Sequence, residues 1–242
     1  MSYEQNIKSA LDALSIFRVK QQVPMTLSAM REYKAKKIKK NKVEYILTAI
    51  ENFHFSFTAV TSQRSSGGIS LMYASSARSL VNAETMEEKR KVLKELSEKI
   101  RSKVPSYQEF EANFKEIYFT NEYTKQRNLV KYILSKIHAY QNQGISANYD
   151  NMTIEHITPQ SQIGINDFTE DSVGQLGNLI LVPSKLNNKL ANKSFESKKR
   201  ILTKSKVFLD GKIKNASAWT SDMIEKRTEW LAELAYNTIW KL

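Results

Sequence analysis

Apolar residues recur at intervals of three and four through the first 142 positions, then give way from about residue 150 to short apolar runs punctuated by glycine, proline and asparagine. A period near 3.6 puts apolar side chains on one helical face, whereas runs of four to eight bounded by turn residues suit short strands. A helical region followed by a smaller mixed region is therefore expected. Ile7, Leu11, Leu14 and Phe17 form one stripe, and Tyr45, Ala49, Ile50 and Phe53 a second. Residues 86–104 form an amphipathic segment with Val92, Leu93, Leu96 and Ile100 inward, stopped by Pro105. A further stripe runs through Leu129, Ile133, Ile137 and Tyr140. Residues 61–68, TSQRSSGG, read as a connector between helices and the best candidate for a mobile segment.

In the second region three blocks follow one another: MTIEHIT at 152–158, GQLGNLILVP at 174–183 and SKLNNKLAN at 184–192. The first two predict short strands and the third a helix beginning near Ser184, giving the order strand, loop, strand, helix. A Lys-rich helical segment at 195–202, a turn at Asp210-Gly211 and a closing amphipathic helix at 220–240 come after it. The expected fold is mainly α, with a small strand–strand–helix core on which the helical N-terminal half packs. The expected division is 1–142 and 143–242. The abrupt helical start further suggests a C-terminal portion of a longer protein.

Composition narrows the partners and the chemistry. The chain has no cysteine, which excludes disulfides and Cys-type zinc sites, so any metal must take oxygen and nitrogen ligands. It has neither an 18-residue apolar run nor a secretory leader, so no membrane association is expected and the expected location is cytoplasmic. The net charge is +12, concentrated in two clusters: residues 31–42 hold seven Lys/Arg and one Glu, and residues 183–206 hold eight Lys/Arg and one Glu. Such density favours polyanions, although a solvated helix face gives the same pattern.

Three histidines are present. His54, between Phe53 and Phe55, reads as a packed core side chain, and His138 as a structural or exposed residue on an amphipathic helix. His156 differs, because it follows Glu155 and enters a Pro-containing loop at Ile157-Thr158-Pro159-Gln160. Adjacent strand residues point to opposite faces, but at the end of a strand the two can still bracket one site. A neutral imidazole suits a general base, a carboxylate is a hard ligand for Mg²⁺ or Mn²⁺, and an asparagine oxygen can complete the protein's share. A second asparagine can accept from the imidazole N–H and fix its tautomer. Taken alone, Gly177-Asn178 also reads as a turn, and Asn187, Asn188 and Asn192 as exposed polar residues on a helix that asparagine disfavours.

IEHITPQ, LGNLILV and KLNNKLANKSFESKKR, in that order, resemble the HNH (ββα-metal) nucleases, and specifically the C-terminal nuclease domain of modification-dependent restriction enzymes of the GmrSD type. In that family an acidic-His pair on the first strand enters a Pro-containing loop, a Gly-Asn-Leu follows on the second strand, and an Asn or His comes about nine residues later on the helix. The resemblance implies a ββα-metal core and a metal-dependent DNA endonuclease of restriction or phage defence. By resemblance, Glu155 and Asn187 hold Mg²⁺ or Mn²⁺, His156 is the general base, and Asn178 positions the base loop. Asn188 and Asn192 compete with Asn187 for the ligand role.

Lys185, Lys189, Lys193, Lys198, Lys199 and Arg200 would contact phosphates of double-stranded DNA, modified phage DNA included. The resemblance also implies a separate NTP-using sensor domain in the full-length protein, since no phosphate-binding Gly-rich loop occurs here. The N-terminal helices would then connect, or help hold DNA. The alternatives are a non-catalytic basic nucleic-acid-binding module on a degenerate HNH scaffold, and a helical interaction protein whose charge maintains solubility.

Overall fold

Two helices of the N-terminal unit begin where their sequence supplies a reason. The computed structural model describes residues 4–63, 67–142 and 148–242, so residues 64–66 of the expected mobile segment lie outside the described residues. The described chain falls into two compact units, Met1–Phe110 with Trp240–Leu242, and Glu111–Ile239. This division lies upstream of the change in sequence texture near 142.

The first unit contains α1 (Glu4–Ile16), α2 (Val23–Lys34), α3 (Lys40–His54), α4 (Gly67–Asn82) and α5 (Met86–Arg101). Pro24 stands in the first turn of α2, where its missing N–H costs nothing. Thr85 and Glu88 close a capping box at the start of α5, satisfying two otherwise unpaired backbone donors. α2 packs on α4 and α1 on α3. The apolar stripes meet here, with Leu14, Phe17, Ile50, Phe53, Leu93 and Leu96 buried. Tyr45 departs from its stripe, being exposed while its hydroxyl donates to Ser97 Oγ at 2.9 Å. Lys89 is a buried cation that no periodicity reveals. Its ammonium pairs with Glu32 at 2.8 Å and donates to the carbonyls of Leu80 and Ala83, joining α2, the end of α4 and α5.

His54 is a core residue of this unit, as expected: it is 1 % exposed, with Nδ1 2.9 Å from Thr58 Oγ1 and Nε2 3.0 Å from the Tyr73 hydroxyl. Burial lowers its pKa from 6.5 to about 4. An unfolded imidazole takes up a proton near 6.5 while the folded one resists, so the associated stability is complete above pH 6.5. It declines as pH falls toward 4, by up to about 1.4 kcal/mol per pH unit. Urea melts at pH 7 and pH 5 are expected to show lower stability at pH 5, with a smaller difference in His54→Gln. Equal pH sensitivity in both proteins would remove His54 from this account.

The second unit holds the end of α6 (Tyr107–Lys115), then α7 (Arg127–Gln141), β1 (Met152–His156), α8 (Glu170–Gly174), β2 (Leu179–Pro183), α9 (Ser184–Leu190), α10 (Phe195–Lys204), α11 (Gly211–Asn215) and α12 (Ser221–Leu234). Among the described residues the sheet is two antiparallel strands, with Met152 opposite Pro183 and His156 opposite Leu179. The described fold is thus mainly helical with one small sheet. α7 packs against β2, and α9 contacts both strands. Ile157, Ile180, Val182, Leu186, Leu190, Leu202, Trp219 and Ile224 belong to one buried cluster beneath them.

The expected second strand is shorter than its apolar block, because Leu176–Asn178 form a 3₁₀ turn and β2 begins at Leu179. That turn is pinned by α12. Arg227, 4 % exposed and paired with Asp210 at 2.9 Å, donates to the carbonyls of Leu176, Gly177 and Leu179. Gly177 donates to Thr228 Oγ1 at 3.0 Å, and a Cβ at this position would overlap the Ile224 carbonyl, so the approach of α12 requires glycine. The closing helix is also shorter than expected: α12 ends at Leu234 and a π-helical turn, Ala235–Ile239, follows.

Candidate active site

β1 ends at His156, and the chain turns away through Ile157, Thr158 and Pro159. Glu155 and His156, although adjacent, therefore line one cleft of about 400 Å³ together with Asn187 and Asn192 of the α9 region, with Asn121 of the segment leading into α7, and with Arg127, the first residue of α7. Both are largely buried, at 5 % and 6 % exposure.

The imidazole is fixed by a group no side-chain pattern could reveal. Its Nε2 lies 2.8 Å from the carbonyl oxygen of Phe119, which can only accept, so Nε2 carries the proton. Nδ1 is then the basic nitrogen, 3.4 Å from the Gln160 amide nitrogen. The Phe119 ring stacks at 5.8 Å from the imidazole. Burial lowers the His156 pKa from 6.5 to about 4 against the opposing hydrogen bond to Phe119, with nearby Lys198 adding to the depression. The ring is accordingly neutral at pH 7. An asparagine was expected to set this tautomer, but the backbone of residue 119 does so.

Asn178 is fully buried, and its amide ties the turn before β2 to the loop leaving β1. Its Oδ1 accepts from the Thr158 N–H at 2.8 Å and from the Trp219 indole at 3.1 Å, while Nδ2 donates to the carbonyls of Thr158 and Val173. It is absent from the cleft wall and is bonded to the loop that follows His156.

Asn187 is half-buried and donates from Nδ2 to Thr153 Oγ1 at 3.0 Å and to the Ile154 carbonyl at 3.3 Å. A carbonyl partner can only accept, so the side-chain nitrogen faces β1 and the side-chain oxygen is left for the cleft. Of the competing asparagines, Asn192 is exposed on the cleft wall and Asn188 is exposed outside it.

Lys198 overturns its expected place on a phosphate-facing surface. It is 1 % exposed, and its ammonium donates to Glu155 Oε1 and to the His156 carbonyl, each at 2.6 Å. Burial raises the Glu155 pKa against the pull of Lys198, and burial lowers that of Lys198 against the pull of Glu155. The pair fastens α10 to the end of β1. Lys185, Lys189, Lys193 and Arg200 are exposed, whereas Lys199 is half-buried, donating to the Ala216 carbonyl at 2.7 Å and lying over the Phe195 ring.

Glu155 keeps Oε2 while Oε1 holds Lys198, and Asn187 offers one amide oxygen, so the cleft presents hard oxygen donors and no sulfur. Among the described residues no group of three or more His, Asp or Glu side chains could form an all-protein cage. This donor set fits a small divalent cation that retains several waters, the habit of Mg²⁺.

A helical domain whose two-stranded sheet presents a carboxylate and a neutral imidazole to one cleft has the makings of a hydrolase. Residues 104–234 match the family described as GmrSD restriction endonucleases, C-terminal domain. The match spans more than half of the chain, which therefore belongs to that family, a family of restriction-system nuclease domains. A comparison with curated proteins gives no match. No helix among the described residues is long and apolar enough to cross a membrane.

Proposed function

We propose that the second unit is a metal-dependent DNA endonuclease of the HNH type, with β1, β2 and α9 as its ββα-metal core and His156 Nδ1 as general base. The observation that carries the reading is the commitment of Nε2 to the Phe119 carbonyl at 2.8 Å, which leaves a neutral, acceptor-competent Nδ1 in a cleft that also holds Glu155 and Asn187. Glu155 and Asn187 would hold Mg²⁺ or Mn²⁺. When bound, the ion supplies positive charge to the scissile phosphate and the leaving oxygen.

In the hydrolytic step a water oxygen bonds to phosphorus as its proton passes to Nδ1. The bond to the leaving sugar oxygen breaks, and that oxygen takes a proton from solvent. Asn178 keeps the loop after His156 in register, and Lys198 holds Glu155 in place. The exposed Lys185, Lys189, Lys193 and Arg200 offer charges for flanking phosphates, which position a duplex without reading its sequence. By family analogy the substrate is double-stranded DNA, modified phage DNA included, and recognition belongs to an NTP-using sensor domain elsewhere in the full-length protein.

Supercoiled plasmid incubated with the protein is expected to be nicked or linearised with Mg²⁺ or Mn²⁺ and to stay intact with EDTA. Equal cutting in EDTA would overturn the metal dependence. Plasmid retardation without cutting under every divalent ion tried would select the non-catalytic binding module instead.

A further inference from the structure

We propose that Arg127 is the phosphate-gripping residue of the cleft, contacting a non-bridging oxygen of the phosphodiester that His156 and Glu155 face. The inference deepens the nuclease reading and rests on it. It comes from the charge balance of the cleft wall, where the ionisable side chains are Glu155, His156, Lys198 and Arg127. Glu155 and Lys198 are paired at 2.6 Å, and the imidazole Nε2–H is committed to the Phe119 carbonyl. The uncompensated charge is Arg127, whose guanidinium makes no ion pair among the described residues. A lone cation on the wall of a cleft draws an anionic ligand inward. The guanidinium fork also matches two phosphate oxygens in a way an ammonium cannot. Lys185, Lys189, Lys193 and Arg200 lie outside the cleft wall and cannot substitute for it there.

The backbone that carries Arg127 is held in place even though its side chain is exposed. Asn121 N–H donates to Gln160 Oε1 at 2.8 Å, Tyr118 N–H to Gln126 Oε1 at 3.0 Å, and Arg127 N–H to the Thr124 carbonyl at 3.0 Å. Phe119, eight positions before Arg127, supplies the carbonyl that orients His156. One pinned segment therefore sets the tautomer of the base and delivers the cation to the same cleft. A phosphate drawn to the guanidinium arrives beside Nδ1.

The test compares wild type, Arg127→Ala, Arg127→Lys and Lys125→Ala, the last an exposed neighbour outside the cleft wall. Two quantities are measured on one duplex oligonucleotide: the single-turnover cleavage rate at saturating protein with Mn²⁺, and the salt dependence of binding in EDTA. Arg127→Ala is expected to lower the saturated rate by about 10²-fold, as loss of a transition-state donor does. It should also reduce the slope of log affinity against log salt by about one, the loss of one phosphate contact. Arg127→Lys should recover part of the rate, and Lys125→Ala should stay within twofold of wild type.

A saturated rate within twofold of wild type in Arg127→Ala overturns the proposal. So does a loss of rate no greater than that of Lys125→Ala. Should the wild type cut nothing with either metal, the nuclease reading fails by itself and the binding arm decides for Arg127. An unchanged salt slope then refutes the phosphate contact, and a slope reduced by about one supports it.

Discussion

Lys198→Met is expected to destabilise the second unit by about 3–5 kcal/mol, the cost of leaving one member of a buried ion pair without its partner. Glu155 would remain on β1 with 7 % of its side chain exposed and no ammonium within reach. The His156 carbonyl would lose a donor at the same time. The melting temperature should fall by roughly 10 °C or more, at the few degrees per kcal/mol typical of a domain this size. The double variant Glu155→Gln/Lys198→Met should recover much of that loss, since removing both charges together leaves no buried charge unpaired. Thermal melts of the four proteins in the cycle measure the coupling. Single variants whose losses simply add would show that the two side chains do not interact. A Lys198→Met protein that melts like wild type but binds DNA with a shallower salt slope would return Lys198 to the phosphate-facing surface.

Lys198 also shows why part of the site was hidden in the sequence. It sits in Ser-Lys-Lys-Arg, where net charge announces a solvated basic face. The signal that separates it from its neighbours is positional: Phe195, Lys198 and Leu202 follow the i, i+3, i+7 spacing of one helical face, and Leu202 is buried in the core. Net charge points this lysine at phosphate, whereas the helical period turns it inward. The Phe119 carbonyl left no signal at all, because every residue has one and only the fold selects which meets an imidazole. Arg127 stood in the region assigned to helices before residue 142, although the segment 119–127 borders the cleft.

What could be read were the features that local chemistry dictates. Glu155 and His156 could share a cleft only at the end of a strand, and β1 ends at His156. The Gly177-Asn178 pair announced a turn, and a turn precedes β2, with glycine required by the approach of α12 and the asparagine amide fully used in tying two loops. The choice among Asn187, Asn188 and Asn192 depends on where a short helix rests against β1. Sequence spacing leaves that open; the fold puts Asn187 and Asn192 on the cleft wall and Asn188 outside it, with Asn187 tied to Thr153 and Ile154.

His156→Ala is expected to reduce Mn²⁺-dependent cleavage by about 10²–10⁴-fold, the usual contribution of a positioned general base. The expectation follows from the tautomer: with Nε2 holding the proton against Phe119, Nδ1 is the ring nitrogen able to take one from water. Removing a ring that is 6 % exposed also leaves a void and strips the Phe119 carbonyl of its donor, so a loss of structure could imitate a loss of chemistry. Two measurements separate them. Duplex affinity in EDTA should stay within a few-fold of wild type, because the exposed cations proposed to meet flanking phosphates are untouched. Added imidazole should restore part of the cleavage rate by occupying the void, and N-methylation should weaken the rescue, because the diffusible base needs an N–H for Phe119 as well as a free nitrogen for water. A variant that cuts at the wild-type rate would move the base elsewhere in the cleft. A variant that has lost DNA affinity together with activity, and that imidazole does not rescue, would make the ring a structural support of the loop after β1 and not the acceptor of a proton.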